Sequence, residues 1–341
     1  MTGYVVRPLK RTDLEDVLQL RALAGPGFTS LAAPVEVIEQ RIAQSEKSFV
    51  AKVEAPGEHR YWLGLEDLAA KQVVGLAGVK AQVGLSTPFF NFRILRIAQA
   101  SASARRRFDM DVLVLVNEFA GATEVGALFV HPAHRGGAGR LLAQTRYMLI
   151  ALAPQRFAET VVSELRGRVD AAGASPFWEA LGRCFFRMDF IEADRLSAST
   201  DNQFILDLMP KYPIYVDLLD PAARAVIGQA HPEGGGARRL LEEEGFRFDR
   251  VVDIFDGGPL LSTSRDALRT VREARRAPVR VGPPKGERRA LVARPSLERF
   301  RCVSVRTAFD DGDIVLPGPV ARALGVKTGD DVLAWVAADE R

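Results

Sequence analysis

The most constraining feature of the chain is a strand, a glycine turn and a helix that follow one another without interruption. Gly126 to Val130 is a short apolar run, His134-Arg135-Gly136-Gly137-Ala138-Gly139-Arg140 is a turn, and Arg140 to Ala151 has strong helical periodicity. Glycines let the backbone approach a ligand closely, and the open N–H groups and positive dipole end of a helix favour an anion. The turn therefore predicts a pyrophosphate seat, although such turns also occur simply to reverse the chain. A P-loop would need a Gly-Lys-Ser/Thr ending, and a dinucleotide loop a G-x-G-x-x-G in an early βαβ unit, so both rivals fit poorly. A second glycine run, Gly234 to Gly236, also opens a helix but follows no comparable apolar strand.

The flanking pattern alternates β and α. Tyr4 to Pro8 reads as a strand, Asp13 to Ala24 as a helix capped by Thr12, Gly25 to Thr29 as a loop, and Pro34 to about Lys47 as a second helix. Arg60 to Glu66 and Val73 to Val83 read as a hairpin, while Val112 to Val116 is ambiguous. Thr160 to Leu165 is expected as a strand, Pro176 to Cys184 as a helix, Phe185 to Phe190 as extended chain, Pro221 to Ile227 and Ala237 to Glu244 as helices. This order predicts an α/β fold, a sheet flanked by helices. The Arg-, Pro- and Gly-rich segment from Ala274 to Arg289 reads as an exposed linker, and Ala290 to Ala338 as a small β-rich C-terminal appendage. The expected division is a domain at 1–272, a linker at 273–289 and a second domain at 290–341.

Several function classes are disfavoured. The 46 basic and 43 acidic residues nearly cancel, which gives no electrostatic footprint for nucleic acid. Cys184 and Cys302 are isolated, supporting neither a disulfide framework nor a metal site. Met1 to Lys10 lacks a signal-peptide core and no apolar run approaches a bilayer span, so no membrane partner is expected and the cytoplasm is the expected location.

The strand–turn–helix unit resembles the acyl-CoA-binding turn of the GNAT superfamily. Longer strings resemble the arginine N-succinyltransferase family more specifically. They are Gly27-Phe28-Thr29-Ser30-Leu31, Asn91-Phe92-Arg93, Ser175 to Gly182, Phe185 to Phe190, Leu208 to Tyr215, Val226 to Pro232 and Val252 to Pro259. The resemblance runs almost continuously from Tyr4 to Pro259 and is weaker in the β-rich tail. It implies an elaborated GNAT-like acyltransferase sheet and succinyl transfer from succinyl-CoA, a co-substrate and not a resident cofactor, to the α-amine of L-arginine in arginine degradation. Ornithine or a related amine is the alternative acceptor, and a non-catalytic paralogous subunit the alternative role; the expected assembly is a homo-oligomer or a hetero-oligomer with a paralogue.

By the same resemblance His231, in Gly228-Gln229-Ala230-His231-Pro232, matches the family's catalytic histidine, and Leu128 its succinyl-CoA position, where the backbone makes the contact. Val130, Arg135, Gly136, Gly137, Gly139 and Arg140 are the other expected CoA-binding residues. The turn is one residue shorter than the family's loop, which leaves His134 or Arg135 for its basic position. Transfer to an amine needs a proton carrier working near neutral pH, and histidine suits that range. The two charged ends of the substrates call for opposite partners. Arg93, Arg166 and Lys211 are the candidate cations for the succinyl carboxylate, and Glu164, Asp253 and Asp256 the candidate carboxylates for the guanidinium.

Overall fold

The computed structural model describes residues 3–24, 31, 33–170, 173–199, 203–209, 211–284 and 286–338. The loop expected at Gly25 to Thr29 lies outside the described residues, as do Gly27 to Ser30 of the first family string and Pro210 of a later one. The first stretch runs β1 (Tyr4–Pro8), α1 (Leu14–Ala24), α2 (Val35–Val50), β2 (Arg60–Asp67), β3 (Gln72–Lys80), β4 (Asn91–Ser101), β5 (Arg106–Val116), β6 (Thr123–Val130), α3 (Ala138–Leu152) and β7 (Thr160–Glu164). The middle holds a π-helical turn at Trp178–Gly182, then α4 (Arg183–Phe186), α5 (Phe190–Ser199), α6 (Gln203–Leu208), β8 (Ile214–Tyr215), α7 (Pro221–Val226), α8 (Gly235–Glu244), β9 (Arg247–Asp253), β10 (Pro259–Ser264) and α9 (Arg269–Glu273). The last part runs β11 (Arg275–Val281), β12 (Arg289–Ala293), β13 (Cys302–Arg306), β14 (Phe309–Asp310), β15 (Asp313–Leu316), α10 (Gly318–Leu324) and β16 (Asp331–Val336).

All the strands join one hydrogen-bonded series, β14-β15-β11-β16-β12-β13-β1-β2-β3-β6-β7-β10-β9-β4-β5-β8. Period-two alternation sorts the central strands into two faces. Tyr61, Leu63, Ala77, Val79, Val125 and Val161 face α3 and form the largest core with Leu142, Tyr147, Met148 and Phe157. Trp62, Leu76 and Phe129 point the other way and are covered by Val17 and Leu20 of α1 and Ile38 and Ile42 of α2. Helix α3 is buried along most of its length, including Gln144, Thr145 and Arg146, because the sheet lies on one side and later elements cover the other. One such cover is α8, whose Glu244 accepts hydrogen bonds from Gln144 Nε2 (3.0 Å) and from Thr270 N (2.9 Å) at the start of α9.

Four local expectations change. Thr12, expected to cap the first helix, lies inside a 3-10 turn, Arg11–Asp13, that precedes α1. The ambiguous run Val112 to Val116 is the end of β5, paired with β4 from Asn91↔Val116 to Ser101↔Arg106. Phe185 to Phe190, expected as extended chain, turns instead from α4 into α5 through Arg187 at φ 56°. Phe186 and Phe190 both lie against Trp178, with ring centroids 5.2 and 6.3 Å away, and that tertiary contact decides a short aromatic run which periodicity alone leaves open. The supposed linker contains β11, antiparallel to β16 and parallel to β15. Its alternation of buried Ala277 and Val279 with Arg276, Pro278 and Arg280 is a strand signal that the arginine and proline content obscures. No helix among the described residues is long and apolar enough to cross a membrane.

Candidate active site

The site begins where β6 and β7 separate. They run parallel but pair only at Thr123↔Val161 and Glu124↔Val162, after which no strand among the described residues covers that edge of β6. On its other edge β6 pairs with β3, and the register slips between Leu76 and Gly78, where Ala127 takes φ 53°. A bulge with a non-glycine residue in the left-handed region re-aims the backbone beside it and is a device of functional edges. Leu128 follows the bulge and is half-buried, packed at the margin of the main core. Val130 is buried and anchors the strand end against Gly75.

The chain leaves β6 through His131, whose N–H donates to Val74 O at 2.8 Å. His131 Nδ1 caps a short 3-10 turn by accepting from Ala133 N at 3.2 Å. His134 is drawn to the sheet, 3.0 Å from the Tyr4 hydroxyl and 3.8 Å from Asp67. Arg135 is left exposed at the turn. Gly136 and Gly137 adopt φ of 105° and 124°, with open space where a Cβ would stand, and Gly137 caps α3 without a side-chain hydrogen bond. The turn is thus a bare backbone cup over the first turn of α3, which begins at Ala138 and includes Gly139. Arg140 departs from expectation: its guanidinium is in a bidentate pair with Glu243 of α8, so it ties two helices together instead of standing free for a phosphate. The second glycine run makes no such cup, because the 3-10 turn Pro232–Gly234 passes directly into α8.

His231 is brought to this region by backbone bonds. Ala230 forms an isolated bridge with Gly167, and His231 N donates to Arg166 O at 2.8 Å, which fixes the His231 loop to the chain leaving β7. Asp256 clamps the same corner, accepting from Gly167 N (2.6 Å) on Oδ2 and from Gly258 N (2.8 Å) on Oδ1. This candidate carboxylate is therefore a structural anchor. Nδ1 of His231 accepts from Glu233 N at 3.3 Å, so the neutral ring carries its proton on Nε2. Burial and then the charge of Arg166 hold the imidazole below its usual 6.5, which keeps it mainly neutral at neutral pH. His231 and the open edge of β6 thus share one end of the β6–β7 divergence.

The remaining candidates divide. Arg93 is spent on Glu118 Oε1 (2.8 Å) and the Asp249 carbonyl (3.2 Å), and Lys211 is exposed. Arg166 has a buried Nε without a partner. Glu164 ends β7 on the face opposite α3 and accepts from Asn91 Nδ2 at 2.8 Å. Burial, reinforced by Asp253 and Glu124, pushes its carboxyl well above the ordinary range. Asn91 stands out in the sequence only inside a family string, and the Ala127 bulge not at all; a positive φ on alanine leaves no mark in a sequence.

An open strand edge after a bulge, a bare helix mouth beyond it and an imidazole across the divergence make up the candidate site. A family model described as arginine N-succinyltransferase beta subunit matches residues 4–270, and one for the C-terminal domain of that subunit matches 275–335. The chain belongs to the arginine N-succinyltransferase family. It is 38% identical over 337 residues to the arginine N-succinyltransferase of Yersinia pestis (strain Pestoides F), covering 96% of each chain. It is 39% identical over 331 residues to that of Enterobacter sp. (strain 638), again covering 96% of each. Among solved structures it is similar to arginine/ornithine succinyltransferase subunit AI from Pseudomonas aeruginosa, with a TM-score of 0.90, 35% identity and coverage of 99% of this chain and 100% of that one.

Proposed function

We propose that the protein transfers the succinyl group of succinyl-CoA to the α-amine of L-arginine, giving N2-succinyl-L-arginine and CoA. The observation that carries the reading is the fixing of His231 by Arg166 and Gly167 at the exit of β7, next to the unpaired edge of β6. Gly136, Gly137, Gly139 and Arg135 would hold the pyrophosphate over the start of α3. The backbone at Leu128, backed by Val130, would take the pantetheine arm as an additional strand. Arg166, beside His231, is the cation for the free carboxylate of the succinyl chain.

In the reaction the amine nitrogen attacks the thioester carbonyl, the C–N bond forms and the C–S bond breaks. The proton that the amine sheds as it attacks charges the ring of His231, and the resulting imidazolium hands its Nε2 proton to the departing sulfur. A positioned acid–base group of this kind contributes roughly 10²- to 10⁴-fold. The test is incubation with succinyl-CoA and arginine, recording free thiol and product mass. Absence of turnover by folded protein would defeat the reading. The Pseudomonas aeruginosa relative's name also includes ornithine, so kcat/KM is to be compared for arginine and ornithine.

A further inference from the structure

On the face of the sheet away from α3, Arg60, Lys80 and Glu124 stand in paired register across β2, β3 and β6. Lys80 Nζ donates to Glu124 Oε2 at 2.6 Å, and Arg60 and Arg41 add positive charge around that carboxylate. Glu124 is compensated. Further across the same face, Glu164 and Asp253 are not: neither forms an ion pair among the described residues. Asp253 Oδ1 accepts from the N–H groups of Phe255 (2.7 Å) and Asp256 (2.9 Å), and its side chain also hydrogen-bonds that of Asp256.

Asn91 is the independent sign that something is missing. It lies opposite Asp253 across β4 and β9, is fully buried, and gives its Nδ2 to Glu164 Oε1 at 2.8 Å. Its Oδ1 has no hydrogen-bond partner. Buried polar atoms are almost always satisfied, and an orphan calls for an explanation. A cationic donor would return Glu164 and Asp253 to their ionised, accepting form and satisfy the Asn91 oxygen as well. Glu164 lies two residues before Arg166, whose carbonyl holds His231, so these acceptors border the reaction centre.

We propose that Glu164, Asp253 and the Asn91 side-chain carbonyl form the pocket that binds the guanidinium of the acceptor, an assignment that rests on the transferase reading of the same site. A guanidinium presents five N–H donors in a rigid plane and stays charged, which suits several converging acceptors. The nucleophilic amine is the wrong occupant: nearby carboxylates would hold it protonated, and it must be neutral to attack. A hard metal ion wants six or more oxygens, and no group of three or more His, Cys, Asp or Glu among the described residues is placed to hold a metal.

The test uses the full chain loaded with CoA, titrated calorimetrically with L-arginine and with L-citrulline, its neutral urea analogue. Arginine binds the wild type in preference to citrulline. Glu164→Gln weakens arginine by roughly ten- to a hundredfold, raises its KM correspondingly and abolishes the preference. Asn91→Leu, similar in volume, acts in the same direction. Unchanged CoA affinity confirms that each variant is folded; if Glu164→Gln fails that control, Asn91→Leu decides. Arginine affinity equal to wild type in the folded variants, or equal loss of arginine and citrulline, overturns the pocket. A wild type that binds arginine through Glu164 yet succinylates no amine would overturn the transferase reading and leave the pocket standing.

Discussion

Substituting Gly167 by alanine should disable the chemistry without loosening the grip on CoA. A Cβ at this position would stand 2.7 Å from Asp256 Oδ1, 2.8 Å from its Cγ and closer still to its main-chain oxygen, all inside the range real Cβ atoms avoid. The yielding part must be backbone, since Asp256 is itself locked to Gly258 N at 2.8 Å. Moving 166–168 away by about half an ångström breaks the 2.6 Å bond from Gly167 N to Asp256, a loss of about 1.5–3 kcal/mol for a carboxylate acceptor. Overpacking adds about 1–3 kcal/mol. The same movement drags Arg166 O, which holds His231 N at 2.8 Å, and the Gly167–Ala230 bridge. Misplacement of a reacting group by about 1 Å can cost roughly 10²-fold in rate. The proposed phosphate cup at Gly136 and Gly137 belongs to a different turn. Stopped-flow or steady-state kinetics should therefore show kcat reduced by about 10–10²-fold with CoA affinity within a factor of about two of wild type, and a lowered Tm. Wild-type kcat, or a parallel loss of CoA binding, would refute the coupling of the Asp256 clamp to His231.

The other expectations are as follows. NMR titration should place His231 below 6.5, and Arg166→Gln should raise it, because the variant removes a repelling charge. A folded-state value below the unfolded one means that this group's stabilisation is complete above about pH 6.5 and is lost as pH falls through the folded value, so His231→Gln should be less acid-sensitive. Gly137→Ala meets no steric obstacle but forces φ 124° on an L-residue, at about 1–3 kcal/mol; calorimetry should show weakened CoA affinity with kcat at saturation retained. Glu244→Ala strips a buried carboxylate from Thr270 N and Oγ1, Gln144 and Arg269, and should cost about 3–5 kcal/mol in denaturant unfolding.

Much of this protein is legible along the chain because the relevant signals are local. The apolar run into Val130, the glycines at 136, 137 and 139 and the periodicity of α3 specify a strand, a cup and a helix through backbone preferences that act within a few residues. His231 is singled out only by the resemblance of its Gly-Gln-Ala-His-Pro setting to the family, and the family itself is legible from ordered strings over most of the chain. The failures were of another kind. Arg140 reads as a phosphate ligand until α8, about a hundred residues on, supplies Glu243. Asp256 and Glu164 are equally acidic in sequence, yet one is consumed by two backbone amides and the other stands against an amide with an orphan oxygen.

Local sequence thus determined where the chain extends, turns and coils, since dihedral preference and hydrophobic period are properties of neighbouring residues. Tertiary structure decided which charges are spent and which stay free. That depends on the crossover that places β10, β9 and β4 beyond β7 and carries Asp253, Asn91 and the His231 loop to one end of the divergent strands. Hydrogen bonds and ion pairs act over a few ångströms, so their partners are chosen by folding and not by distance along the chain.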